Sequence, residues 1–336
     1  KGDYDIAISL WAPDYNDPMT FMDLWVTGGP FNEAGYSNTQ FDDLINKAKG
    51  SPDNNERMDL MAQAEKILME DMPVGPLYFR YRNYIKNPKL KDEVRRAVGA
   101  DPDFYWASID GGDAININIS TEPPDMDCQT TTDATSFQLI SHLYEGLTRA
   151  GKDGKPIPGM AKEWKHSDDG LTWTFTLRDD AKWSNGDPVT AKDFEFGWKR
   201  ALDPNVASQY AYILYYLKNG EAYNTGKIKD ANEVGVKAVD DYTLEVTLER
   251  PTAYFDSLVT FGTYMPLNQK YYESVKDKYG SEANKMIYNG PFTMSEWKHD
   301  SKVVLKKNPN YWDKKNVHLS QIKYQVVKSP STGLNL

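Results

Sequence analysis

Residues 170–180, GLTWTFTLRDD, constrain the fold more than any other stretch of this sequence. Apolar side chains alternate with threonines, so that Leu171, Trp173, Phe175 and Leu177 share one side of an extended chain. A period of two predicts a β-strand with one buried face. Such a strand needs neighbours for its backbone and a cover for its apolar side, so the sequence predicts a sheet packed against other elements.

The stretch that follows this strand predicts a tight turn and then a helix. Asn185-Gly186 is typical of a hairpin turn. Thr190 and Asp193 have the spacing of a capping box, in which each side chain satisfies a backbone amide at a helix start. Three apolar residues continue at helical spacing: Phe194, Trp198 and Leu202.

Hydrophobic periodicity predicts the remaining elements. Strands are expected in residues 3–11 (DYDIAISLW), 74–88 (VGPLYFRYRNYIKNP), 114–120 (AININIS), 242–251 (YTLEVTLERP) and 322–328 (IKYQVVK), with a hairpin in 288–313. Helices are expected in residues 36–50, 51–73 and 133–147. Ser37 or Asn38 is expected to cap the first, and the apolar face of the second is expected to run from Met58 to Met72, before Pro73. Mixed elements without regular βαβ alternation favour an α/β or α+β protein, and 336 residues favour two lobes.

Composition excludes several classes of function. The net charge is −10 and the chain has no run of lysine or arginine, so nucleic acid is not an expected partner. The only cysteine, Cys128, and four scattered histidines lack metal-ligand spacing, so neither a metal nor another cofactor is expected. The paired aspartates lie in turns or on helix surfaces, and no catalytic motif is present. We therefore expect a protein without catalytic residues; the alternative from another class is a carbohydrate-processing enzyme with tryptophan walls and an acidic pair.

Residues 9–18, SLWAPDYNDP, are the best candidate for a binding segment. Two prolines prevent a helix and leave backbone groups unpaired after the predicted strand. In one interpretation Asp14 meets a cationic group such as an α-amine, and Trp11 and Tyr15 form walls of a cleft. In the other, the segment is a turn in which Asp14 bonds to its own backbone. The residues alone leave both interpretations open.

Several motifs resemble one family of binding proteins. Residues 173–204, WTFTLRDDAKWSNGDPVTAKDFEFGWKRALDP, are similar to the hallmark of the oligopeptide/dipeptide class (family 5) of extracytoplasmic solute-binding proteins, which feed ABC importers. Further similarities are INISTEPPDMD, LYEGL, GKPIPGMAKEW, YNGPF, VLKKNPNYWD, AEKILMEDMPVGPLYF and SLWAPDYNDP itself. The resemblance covers nearly the whole chain.

The resemblance implies a periplasmic-binding-protein-like fold with two lobes and an extra subdomain at about residues 150–270. It also implies a reversed order, because the family places SLWAPDYNDP near its C-terminus and ININISTEPPDMD near its N-terminus. We therefore expect a circularly permuted chain with an incomplete second lobe. Residues 1–73 would be a remnant of lobe II, residues 74–110 a crossing strand with the C-terminal part of lobe I, and residues 111–336 the N-terminal part of lobe I. Residues 110–113 would be an exposed connection.

The resemblance further implies how a peptide would bind. An extended peptide would pair with backbone near residues 10–12 and 121–124, and Asp14 would receive its α-ammonium group. Trp11 and Tyr15 would line the site, and Asn289 would lie near the hinge face. The implied ligand-binding residues are Leu10, Trp11, Ala12, Asp14, Tyr15, Glu122, Pro124, Tyr288 and Asn289.

The implied function is a receptor that captures oligopeptides and delivers them to a membrane ABC permease. The receptor would be a monomer in the periplasm, or a lipoprotein anchored at the outer face of the cell membrane. An alternative within the same superfamily is a receptor for another small ligand, such as a nickel chelate or a saccharide.

Overall fold

The computed structural model describes residues 5–79, 83–99 and 101–335, and it confirms the predicted mixture of helices and strands. The strands are β1 Leu90–Lys91, β2 Ser108–Ile109, β3 Ala114–Ile119, β4 Thr148–Ala150, β5 Pro156–Pro158, β6 Ala161–His166, β7 Thr172–Leu177, β8 Val236–Asp240, β9 Thr243–Thr247, β10 Phe292–Lys298, β11 Lys302–Lys307 and β12 Gln321–Val326. The α-helices are α1 Met19–Met22, α2 Thr39–Gly50, α3 Asn54–Asp71, α4 Ala134–Leu143, α5 Ala191–Leu202, α6 Gly220–Asn224, α7 Phe255–Leu258, α8 Gln269–Val275 and α9 Pro330–Asn335.

Short 3₁₀ helices join several of these elements: Asp23–Trp25, Gln209–Leu214, Ala231–Glu233, Gly262–Tyr264, Lys276–Lys278, Ala283–Lys285 and Lys314–Asn316. Within the described ranges, no helix is long and apolar enough to cross a membrane.

The first four-stranded sheet has the order β10-β11-β12-β3. The predicted hairpin forms β10 and β11, and β12 pairs antiparallel with β11. β3 pairs in parallel with β12, so that Ile115 lies opposite Ile322 and Ile117 opposite Tyr324. The predicted strands at residues 114–120 and 322–328 are thus confirmed, and their pairing joins two segments about 200 residues apart in sequence.

The second four-stranded sheet has the order β6-β7-β9-β8 and confirms the strand predicted from GLTWTFTLRDD. Trp173, Phe175 and Leu177 of β7 are buried, whereas the threonines between them are partly exposed. The predicted turn and capping box are also confirmed: Gly186 has a φ of 95°, and Thr190 and Asp193 cap α5 reciprocally. α5 packs against β8 and β9 and closes the buried side of this sheet.

Helices α2 and α3 pack against each other. The sequence prediction of this pair is correct except at the C-terminal end of α3. Asn38 caps α2 by accepting hydrogen bonds from two backbone amides of its first turn. The apolar face of α3 includes Met61 and Leu68, but the prediction that Met72 continues this face is wrong. Met72 is the C-cap residue in the left-handed conformation, with a φ of 53°, and its side chain is 59% exposed because the chain leaves the helix there.

The strands predicted at residues 3–11 and 74–88 are not formed in the described parts of these segments; residues 3–4 and 80–82 lie outside them. Residues 5–10 are all exposed, with Ile8 exposed by 90%. Residues 75–79 are likewise exposed, with Phe79 exposed by 94%. Apolar alternation predicts a strand only if a neighbour satisfies the backbone, and the described chain places none beside either segment.

Residues 110–113 form an exposed turn between β2 and β3, as predicted for a connection. The amide of Asp110 donates to the carbonyl of Lys89, and Ile109 forms an isolated β-bridge with Gly112. The preceding residues Phe104 and Tyr105 are buried. The chain therefore passes from buried structure through a surface turn and into β3.

Residues 13–73 pack against residues 205–260 through aromatic contacts that surround a buried ion pair of the first segment. An Nη of Arg57 lies 2.8 Å from Oδ1 of Asp17, and both side chains are less than 7% exposed. The guanidinium carbon of Arg57 also lies 4.2 Å from the ring centre of Tyr254, against which Tyr15 stacks at 6.0 Å. These contacts attach the segment that contains α2 and α3 to the segment that contains β8 and β9.

We expect Arg57→Met to lower the free energy of unfolding by about 3 kcal/mol, because the substitution leaves the Asp17 carboxylate buried without its cation. Urea denaturation followed by tryptophan fluorescence measures this change. Lys66→Met is the matched control, since Lys66 and its partner Glu70 are both more than 60% exposed, and we expect a cost below about 0.5 kcal/mol there. Equal losses in the two variants would contradict the assigned role of Arg57.

We expect limited digestion with chymotrypsin to cut first after Leu77, Tyr78 or Phe79. These side chains are 77%, 80% and 94% exposed on a segment outside any helix or strand, which a protease can bind without unfolding the rest. Mass spectrometry of the first fragments identifies the site. Phe41, fully buried in α2, is the internal control; cleavage there at the same rate would show that the segment around residue 77 is not selectively accessible.

Candidate functional site

A cavity of about 390 Å³ lies where four distant parts of the chain meet. Its lining comes from residues 12–14, residues 96–103, the stretch from α4 to β4, and residues 260–265. The volume is within the range of sites for small molecules.

Helix α4 forms one wall of this cavity. Asp133 caps the helix by accepting a hydrogen bond from the amide of Ser136. Phe137, Ile140 and Ser141 line the cavity, and Leu139 anchors the helix in the core. The prediction of a helix in this region is confirmed, with its end at Leu143.

Asp14 lies at the edge of the cavity, on the loop predicted as a binding segment. Its carboxylate oxygens accept hydrogen bonds from the hydroxyl of Tyr210 at 3.3 and 3.4 Å. Burial raises the pKa of Asp14 to about 7, and the hydrogen bond from Tyr210 opposes this only partly. The residue of this loop that bonds to its own backbone is Asp17, which accepts from the amide of Met19 at 3.0 Å. Asp14 thus faces another part of the chain.

Another part of the cavity lining is charged and contains Arg96, Asp101, Asp103, Glu145 and Arg149. Asp103 accepts from Arg96 at 3.0 Å and lies 3.5 Å from Arg149, whose Nε donates to Glu145 at 3.0 Å. Burial alone would raise the pKa of Asp103, but its interactions with Arg149, His142 and Arg96 together hold it below its ordinary value. The two arginines balance the carboxylates of Asp103 and Glu145, and Asp101 lies 4.0 Å from Arg95.

Glu145 is also the point where Asn289 contacts the site. The amide of Asn289 accepts from the Glu145 backbone at 3.2 Å and donates to its carbonyl at 2.8 Å. The carboxylate of Glu145 accepts from Tyr311 at 2.7 Å and from Trp312 at 2.6 Å. The ring of Tyr288 packs 5.8 Å from that of Tyr144. Asn289 and Tyr288 therefore lie behind the cavity wall, where they hold its backbone in place.

The remaining predicted site residues of the first loop are spread over different surroundings. Of these, Ala12 lines the cavity together with Asp14. Leu10 is 69% exposed, and Trp11 packs edge-on against Phe31 at 5.0 Å. Tyr15 is buried against Tyr254, away from the cavity.

The structure places Glu122 and Pro124 away from this cavity. Glu122 accepts a hydrogen bond from the indole of Trp297 at 2.8 Å and one from the amide of Asp300 at 2.6 Å, and it pairs with His299. Pro124 is exposed. Glu122 therefore lies beside the turn between β10 and β11.

Sequence reasoning did not identify Arg96, Arg149 or Phe261 as lining residues. The sequence contains one indication of the charged part of the lining, because Glu145 lies among apolar residues and Arg149 follows four positions later. A charge within an apolar stretch needs a buried partner. In the described ranges, no group of three or more His, Cys, Asp or Glu side chains is placed to hold a metal ion.

Comparison with known proteins relates most of the chain to one family. A sequence model described as "Bacterial extracellular solute-binding proteins, family 5 Middle" matches residues 155–336. "Oligopeptide-binding protein OppA" of Bacillus subtilis (strain 168) is 49% identical over 224 residues, which cover 67% of this chain and 41% of that protein. The chain thus spans about two fifths of that relative's length.

Solved structures show the same relationship. The substrate-binding domain of an oligopeptide ABC transporter from Bacillus anthracis str. Ames matches with a TM-score of 0.66 and 50% identity, covering 67% of this chain and 43% of that one. Listeria monocytogenes OppA bound to peptide matches with a TM-score of 0.66 and 45% identity, covering 67% and 45%. These matches confirm the type of fold that the sequence motifs imply.

The raised pKa of Asp14 predicts how stability depends on pH. Because the folded protein binds a proton on Asp14 up to about pH 7 and the unfolded chain only up to about pH 4, the free energy of unfolding falls as pH rises between these values. We expect Asp14→Asn to be more stable than the parent at pH 8 by roughly 2–4 kcal/mol, and equally stable below pH 4.

Urea denaturation at pH 4 and pH 8 tests this expectation. Asp43→Asn, at an exposed position of α2, is the control and is expected to change the free energy of unfolding by less than about 0.5 kcal/mol at either pH. If Asp14→Asn were instead less stable than the parent at pH 8, the ionised carboxylate of Asp14 would be stabilised by the fold. That result would contradict its raised pKa.

Proposed function

Because the chain belongs to the bacterial extracellular solute-binding proteins of family 5, we propose that it is a receptor that captures oligopeptides for an ABC importer. The observation that carries this proposal is the carboxylate of Asp14 at the edge of a partly open cavity. No lysine or arginine in residues 5–79, 83–99 and 101–335 forms an ion pair with it. A buried carboxylate without a cation is suited to bind one from a ligand.

In this proposal Asp14 receives the α-ammonium group, the feature that all unblocked peptides share. The backbone of residues 10–12, which belongs to no helix or strand, offers hydrogen-bonding groups to the peptide main chain. Pairing of this type ignores side chains beyond their size, and it supports binding of varied sequences. In the proposal Glu122 and Pro124 lie at a second edge of the peptide site. Asn289 and Tyr288 hold the backbone of the cavity lining at Glu145 and Tyr144.

We further propose that the chain order is permuted relative to the family. The exposed turn at residues 110–113 supports this, since a surface connection is the place where two former chain ends are joined at little cost. Residues 1–73 then correspond to a part of lobe II. Residues 74–110 and 111–336 correspond to the C-terminal and N-terminal parts of lobe I, and the extra subdomain contains the β6-β7-β9-β8 sheet.

The family relationship supports the rest of the proposal. The receptor acts outside the cytoplasm, in a periplasm or attached by a lipid anchor to the outer face of the membrane. It works as a monomer that delivers its ligand to a membrane permease, and it binds its ligand without changing it chemically.

Calorimetric titration with free and N-acetylated trialanine tests the amine anchor. We expect binding of the free peptide only, and a loss of roughly 10- to 100-fold in affinity in Asp14→Asn, since a charged hydrogen bond is removed. Asp43→Asn is the matched control and should bind like the parent. Equal binding of the acetylated peptide would contradict the role of Asp14, and binding of a nickel chelate or saccharide instead would identify another ligand class. Hydrolysis of a glycoside would favour an enzyme.

The same titration has a defined pH dependence. Asp14 must be ionised to bind an ammonium group, so affinity should rise as pH increases through about 7. It should fall again once the peptide amine loses its proton, near pH 8. A flat profile between pH 5.5 and 7.5 would show that Asp14 does not carry the interaction.

A further inference from the structure

An apolar wall stands directly beside the carboxylate of Asp14. The ring of Tyr210, whose hydroxyl binds Asp14, packs against Phe261 at 5.0 Å and against Phe137 at 5.7 Å. Phe137 and Phe261 lie 4.8 Å apart. Tyr210 therefore contacts both the Asp14 carboxylate and the aromatic surface formed by Phe137 and Phe261.

The backbone on this side holds the aromatic surface in position. A Cβ atom at Gly262 would lie 2.5 Å from two ring carbons of Phe137, so the ring rests directly on the glycine backbone. Ile140, one turn further along α4, is buried and lines the cavity next to it. Met265 completes this side. The surface is thus packed and preorganised.

The charged part of the cavity lining offers no free partner to a charged side chain of a ligand. Arg96 and Arg149 are each about nine-tenths buried and are paired with Asp103 and Glu145. A charged ligand group would have to compete with these pairs. The aromatic surface beside Tyr210 is therefore the part of the lining that suits a ligand side chain, and an apolar one.

We propose that this site selects peptides whose first side chain is large and apolar. The α-amine and the first side chain branch from the same carbon atom, so an amine held at Asp14 places that side chain within reach of Phe137 and Phe261. The inference rests on the proposed function, because it assumes that Asp14 binds the amine. It goes beyond that function by assigning a preference to one position of the ligand.

The size of the preference follows from the area buried. Burial of a leucine-sized side chain is worth about 1.5–3 kcal/mol, which corresponds to roughly 10- to 100-fold in affinity. We expect Leu-Ala-Ala to bind more tightly than Ser-Ala-Ala by this factor. Ala-Ala-Ala should lie between them. Asp-Ala-Ala should bind weakest, because its side chain would face the Asp14 carboxylate.

Titration calorimetry of the unmodified protein with these four peptides at pH 7.5 gives the order directly. Phe137→Ala then tests the wall, and we expect the ratio of affinities for Leu-Ala-Ala and Ser-Ala-Ala to fall at least about threefold. Phe137 is partly exposed, and Phe196→Ala is the matched control because Phe196 is also partly exposed and packs instead on Tyr272. The control should keep the parent ratio.

The outcomes separate this inference from the function on which it rests. The expected order, reduced in Phe137→Ala and kept in Phe196→Ala, supports it. Equal affinities for the four peptides would overturn the preference and leave a peptide receptor in place. An unchanged ratio in a folded Phe137→Ala variant would overturn the assigned wall. Absence of binding for all four peptides would overturn both the preference and the proposed receptor.

Discussion

The buried charges around Asp103, Glu145 and Arg149 are the constraint on which the cavity depends. Glu145 and Asp103 come from segments about 40 residues apart, and Arg149 bridges them. Desolvation makes each of these charges costly alone, and only the complete set repays the cost. Because Tyr311 also donates to Glu145, the loop after β11 must be in place before the cavity wall is complete. The network therefore couples the correct folding of three segments to the presence of the site.

A second buried ion pair stabilises the structure of residues 13–73. Arg57 reaches Asp17 beneath the ring of Tyr254, and this contact fixes the loop that carries Asp14. Asp14 differs from Asp17 in having a hydroxyl rather than a cation as its partner. The fold thus pairs one carboxylate of the loop with a cation and the other with a neutral hydroxyl.

The sequence predicted the elements whose cause is local. Alternation in β7 and β3, and capping by Asn38 and Thr190, depend on neighbours in the sequence and are confirmed. Residues 5–10 have the same alternation and residues 77–79 are an apolar run, but both lack a partner strand, which no local pattern encodes. The position of Asp14 on a loop was predictable from the prolines on either side of it. Its neighbours Phe137 and Phe261 lie more than 120 residues away, and only the tertiary structure brings them together.

The exposed turn at residues 110–113 has a consequence for how the cavity is assembled. Contacts that join the two sides of this turn, such as Asp103 with Arg149 and Asp14 with Tyr210, are noncovalent. The peptide bonds of the turn contribute mainly a high effective concentration of one half for the other. Two separate polypeptides, one ending and the other beginning at this turn, would therefore retain the noncovalent contacts that form the cavity. Their association would measure the strength of the interface between them.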